Sequence, residues 1–97
     1  MPKGYIVAEL TIDNPGAEIS EYRGKVLATV EAYGGRFLVR GGQPAQIEGE
    51  SPHNTSVILE FESPGQAMAW YNSPEYQRIL PLRTQNATSR VLCATGT

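Results

Sequence analysis

Between Gly4 and Ile12 the chain reads GYIVAELTI, and side chains alternate so regularly that an extended strand is the natural conformation. Ile6, Ala8, Leu10 and Ile12 share one face; Tyr5, Val7, Glu9 and Thr11 share the other. The period then changes. In DNPGAE, Asn14 is suited to cap a helix and Pro15 to occupy its first position. Ile19, Tyr22, Val26, Val30 and Tyr33 follow at helical spacing, and Gly34-Gly35 is expected to close that helix. RFLVRG (Arg36 to Gly41) and TSVILEFES (Thr55 to Ser63) read as the second and third strands. The turn-rich run between them is expected to hold a short extended arm around Gln46 to Glu48. Ser63-Pro64-Gly65-Gln66 has the form of a capping box, and Ala67, Trp70 and Tyr71 occupy one side of the helix it starts. Asn72-Ser73-Pro74 breaks that helix, Ser73 caps another, and Pro81 is expected to kink or end it. SRVLCAT, Ser89 to Thr95, is the last strand, with Cys93 expected in the core.

Strand, helix, strand, strand, helix, strand is the α+β order of a ferredoxin-like βαββαβ fold. Right-handed crossovers then give a four-stranded antiparallel sheet with helices on one face. At 97 residues the chain suits one domain, residues 1–97, and one core. The face without helices carries Tyr5, Val7, Leu38 and Ile58 beside charged residues. An apolar centre of that kind is best covered by a second sheet, so a homodimer joined through the open faces is expected.

Composition narrows the function. A net charge of −2 argues against a nucleic-acid partner, and no run approaches a membrane span. The opening MPKGYIVAEL has no cleavage signal, and a single cysteine suits a reducing compartment, so a cytoplasmic location is expected. One histidine and one cysteine make no ligand cluster, so no metal and no cofactor is expected.

The runs KGYIVAELTIDNP, YGGRFLVRGG, IEGE, VILEFES and AWYNSPEYQRILPLR together resemble the family called domain of unknown function thirteen-thirty, within the dimeric α/β-barrel superfamily. Family members commonly carry Trp and Arg before the third strand, where this chain has SPHNTS, Ser51 to Ser56. The resemblance implies a homodimer whose sheets face each other, sometimes around a small pocket. Relatives in the wider superfamily include cofactor-free oxygenases, isomerases and cyclases. No substrate comes with the likeness.

Strand parity supplies one group of candidate residues. Glu60 should lie near Tyr5 and across from Arg36, and Glu9 toward the sheet end that holds Arg40, all on the open face. Carboxylates, guanidiniums and a phenol on a partly buried face can orient a small polar molecule or move a proton. They serve equally as ion pairs that fix dimer register. His53, on a loop, could reach a pocket mouth as a base. In AWYNSPEYQRILPLR the main reading is a joint between two helical pieces, with a share of function left to Tyr71, Tyr76 and Arg83. Two functions follow: a cofactor-free enzyme or binder of a small polar metabolite between the sheets, or a structural or regulatory dimer without catalysis.

Overall fold

A computed structural model describes residues 2–97. Its elements are β1 (Gly4–Ile12), α1 (Ala17–Ala32), β2 (Arg36–Gly42), β3 (Thr55–Phe61), α2 (Pro64–Tyr71), α3 (Pro74–Thr84) and β4 (Ala87–Thr95). The strands form one antiparallel sheet in the order β2-β3-β1-β4, so the expected ferredoxin-like plan is present with its second helix split in two. No helix among the described residues is long and apolar enough to cross a membrane.

Alternation in β1 becomes burial. Ile6, Ala8 and Leu10 are buried beneath the helices, while Tyr5, Val7 and Glu9 stay half-exposed on the other face. Leu59 and Phe61 of β3 join them, and Val26 and Val30 of α1 with Ala67 and Trp70 of α2 close the core from above. Burying such side chains is the main force holding helices to sheet, at about 1.5–3 kcal/mol for each large one. Polar atoms within this core are satisfied: the Trp70 indole Nε1 donates to Thr29 Oγ1, 3.1 Å away.

Several local expectations change. α1 begins at Ala17 and has Gly16 at its N-cap, with no side-chain cap. Asn14 is occupied elsewhere, because the Asp13 and Asn14 amides both donate to the Asn86 carbonyl. Ser63 caps α2 as expected, accepting from the Gln66 amide, but the Gln66 side chain reaches across to the Tyr33 carbonyl and not back to the cap. Pro81 does not end its segment; it lies inside α3, which runs on to Thr84. It stands on the exposed side of the helix, and buried Ile79 and Arg83 anchor the turns around it. Cys93 is exposed and not core, because β4 is an edge strand that the helices cover only partly. No strand forms around Gln46 to Glu48; residues 43–54 form a long irregular connection.

The departure with most consequence lies in β2. Arg36 pairs with Glu60 and Phe37 with Leu59, but Val39 pairs with Ile58, leaving Leu38 as an extra residue. A second irregularity follows at Gly41, whose φ of 73° is a left-handed conformation that favours glycine. The first bulge reverses the parity of Val39 and Arg40, and the second restores it at Gly42.

Candidate functional site

Two separate constellations result, one on each face of the sheet. On the open face the neighbours expected of Glu60 are in place. The Tyr5 hydroxyl donates to Glu60 Oε2 at 3.1 Å, and Arg36 Nε and Nη2 both donate to Oε1 at 2.8 Å. Desolvation works to raise the Glu60 pKa, but the hydrogen bonds from Arg36 and Tyr5 outweigh it and hold the carboxyl below its ordinary value. The Tyr5 phenol is pushed up, chiefly by its hydrogen bond to that carboxylate. Glu9 stands apart from this group. Its partner is Arg90, directly opposite on β4. His53 lies near the end of the irregular connection, with Nδ1 3.1 Å from Thr11 Oγ1 at the far end of β1. Between these polar groups run Val7, Ile58 and the exposed Leu92 and Leu38.

Arg40 is absent from that face. Behind the Leu38 bulge it lies opposite Val57 on the helix side, where its guanidinium stacks 4.5 Å over the Phe37 ring and donates to the Arg23 carbonyl of α1. The expected sharing of a face by Arg36, Arg40, Glu9 and Glu60 thus holds for all but Arg40.

The helix side holds a cavity of about 530 Å3, within the usual range for small-molecule sites. Its floor is the sheet, from Phe37 and Arg40 of β2 through Val57 and Leu10 to Val91 of β4. Its roof is Ile19, Tyr22 and Val26 of α1 with Trp70, Tyr71, Tyr76 and Arg83. Arg23 and Arg40 belong to the lining too, and no Asp, Glu or His does. Local sequence explains the roof. Ser73 is buried and its hydroxyl accepts from the Tyr76 amide while donating to the Trp70 carbonyl, so α2 and α3 are joined at a fixed angle. That joint stacks Tyr76 against Trp70 with ring centroids 4.1 Å apart, and Tyr71 closes the cluster 5.6 Å from Tyr76.

At the polar end of the cavity, the Tyr22 and Tyr76 hydroxyls meet at 2.8 Å. Arg83 Nη2 lies 3.5 Å from the Tyr76 oxygen, and Nη1 donates to Ser89 Oγ at 2.5 Å. Burial, and then the adjoining Tyr76, push the Tyr22 phenol far above the ordinary tyrosine value. Burial alone would lower the Arg83 pKa, but Tyr76 and Tyr22 outweigh it and the net direction is up, so the group stays charged.

Tyr71, Tyr76 and Arg83 are therefore brought together, and Arg40 joins their cavity; Tyr5, Arg36 and Glu60 form the second group, with Glu9 and His53 apart from both. Sequence reasoning placed Tyr22 only in the buried stripe of α1. A phenol among the aliphatic Ile19, Val26 and Val30 of that stripe, facing a helix that carries Tyr76 and Arg83, was the available signal. Arg90 was missed because its role depends on the β1–β4 register. Among the described residues, no group of His, Cys, Asp and Glu side chains suited to a metal ion occurs.

Comparison with known proteins agrees with this architecture. The family described as "Domain of unknown function (DUF1330)" matches residues 3–97. No curated protein matches. Among solved structures, the chain is similar to RPA0582, a protein of unknown function from Rhodopseudomonas palustris, at 17% identity and a TM-score of 0.75, covering 99% of this chain and 83% of that one. A dimeric ferredoxin-like protein of unknown function from Jannaschia sp. CCS1 aligns at 14% identity and a TM-score of 0.64, over 95% and 97% of the two chains. SnoaB, a cofactor-independent oxygenase from Streptomyces nogalater, aligns at 12% identity and a TM-score of 0.63, over 100% and 95%. At such identities the likeness is one of fold.

Proposed function

We propose that this chain, which belongs to the DUF1330 family, is a homodimer that binds a small, largely apolar molecule in the cavity between its sheet and its helices. The observation that carries this reading is the cavity itself: apolar walls, with the Tyr22 and Tyr76 hydroxyls and the Arg83 guanidinium gathered at one end. That is the usual division of labour in a ligand site, where apolar surface supplies affinity and a few polar groups fix orientation. The dimer is supported by the uncovered apolar strip on the open face and by the dimeric neighbours of the same fold.

Binding is favoured over base catalysis. No carboxylate or imidazole lines the cavity, and the Tyr22 phenol is held protonated, so the lining has no group that accepts a proton readily near neutral pH. What the polar end offers is hydrogen-bond donation. The chemistry these donors suit is the stabilisation of negative charge developing on a bound oxygen.

Trp70 is the single tryptophan and lines the cavity, so its fluorescence reports occupancy. A screen of small aromatic and aliphatic compounds is expected to yield ligands that change Trp70 emission. Their amide chemical-shift changes should map to Leu10, Val57 and Tyr76. Val57→Phe, which fills the space above β3, should abolish these changes. Ligands mapping to Val7 and Leu92, or still binding to Val57→Phe, would place the site on the other face.

A further inference from the structure

We infer that the occupant of the cavity is a monocarboxylate with an apolar body, its carboxylate received by Arg83 and by the hydroxyl pair Tyr22–Tyr76; this rests on the cavity being the binding site. Donors outnumber acceptors at this end of the cavity. Arg83 is 7% exposed, and its guanidinium can only donate. Its partners are a serine hydroxyl and a phenol, both neutral, and among the described residues no carboxylate lies within 4.0 Å. It sits in the last turn of α3, where the helix end offsets only part of a charge, roughly half. A buried charge without a full counter-charge is costly, and such sites ordinarily pair it.

The hydroxyls point the same way. With the Tyr76 oxygen beside an Arg83 N–H, its own O–H can donate to Tyr22, which leaves the Tyr22 O–H without an acceptor among its observed partners. If Tyr22 donates to Tyr76 instead, the Tyr76 O–H is left over. Either way one phenolic proton and the spare guanidinium donors stand at the same end of the cavity, which no acidic side chain lines. The missing partner is an anionic oxygen acceptor. A carboxylate fits because its lone pairs accept from a guanidinium and a hydroxyl together. The aliphatic and aromatic walls, from Leu10 and Val57 to Trp70, then require the rest of the molecule to be apolar. Arg40 and Arg23, on the opposite side of the lining, favour approach of an anion.

The test titrates the full chain with benzoate, phenylacetate and hexanoate and with their neutral amides, read by Trp70 fluorescence and calorimetry. Each acid is expected to bind about 10- to 100-fold more tightly than its amide, as a charge-assisted contact confers. Arg83→Gln should erase that preference and leave amide affinity in place; Tyr22→Phe should reduce it. Should Arg83→Gln fail to fold, the wild type still decides: acid affinity should fall as pH drops through the acid's own pKa, while amide affinity stays constant. Acids and amides binding alike, with Val57→Phe abolishing both, would overturn the carboxylate and leave the cavity reading intact. Acid preference surviving in Arg83→Gln would remove Arg83 from the assignment. No binding by any of the six compounds would overturn the carboxylate inference, and ligands from the wider screen would then decide whether the cavity reading stands.

Discussion

The hydroxyls of Tyr22 and Tyr76, one on α1 and the other on α3, lie 2.8 Å apart and bridge the two helices at the polar end of the cavity. The contact is both a strut of the roof and the centre of its polarity. Because the rings meet edge to face at 6.2 Å, the bridge rests on packing as well as on one hydrogen bond.

High pH should reveal that bridge. The folded state holds the Tyr22 phenol above the ordinary value of 10.0, so its contribution to stability is complete below that pH and is lost as pH rises beyond it. Denaturant unfolding across the alkaline range should show stability falling, and Tyr22→Phe should flatten the fall. Tyr5 is also raised, so Tyr5→Phe is the paired control. A slope identical in wild type and Tyr22→Phe would mean that the phenol titrates normally.

Ser73 offers the clearest stability test. Its buried hydroxyl caps α3 and holds the Trp70 carbonyl, so Ser73→Ala should cost about 1–2 kcal/mol, the range for losing a helix cap. In a chain of this size that lowers Tm by roughly 4–16 °C. A scanning-calorimetry shift within error of zero would mean that solvent replaces the cap.

Association should depend on the open face. Light scattering is expected to give twice the chain mass for the wild type. Leu92→Asp, which places a charge in the apolar strip, should give single chains that keep the wild-type circular dichroism. A dimer undisturbed by that charge would locate the contact elsewhere.

Glu60→Gln separates the two faces. The carboxylate joins Arg36 to Tyr5 beside the proposed interface, far in sheet parity from the cavity lining. The variant should weaken the dimer and leave cavity ligands bound as before. In the wild type, Glu60's contribution to folding stability is present above its unfolded pKa and fades as pH falls through its lower folded value, so denaturant unfolding should grow easier on the acid side, and less so in Glu60→Gln. Loss of ligand binding in Glu60→Gln with the dimer intact would reverse the assignment.

Most of the architecture was legible because it depends on periodicity: the alternation in GYIVAELTI and in VILEF gave strand faces directly, and Ser63 and Ser73 announced two helix starts. The cavity was less legible. Tyr76 and Arg83 share α3, but Tyr22 lies 54 residues before Tyr76, and their meeting depends on how α3 packs against α1. Arg40 was misplaced for a different reason. RFLVRGG alternates acceptably with or without a bulge, since Leu38 and Val39 are both apolar, and only pairing with β3 reveals which residue is extra.

That extra residue makes β2 a strand whose two halves address different audiences. Arg36 stands on the open face proposed to meet a second copy, and Arg40, after a single inserted position, on the helix side that lines the cavity. Loss of one residue at Leu38 would exchange the audience of Val39 and Arg40, the two positions between the bulges, while leaving length, charge and composition almost untouched. A single position in this strand therefore decides which face Arg40 serves, with no change to its identity.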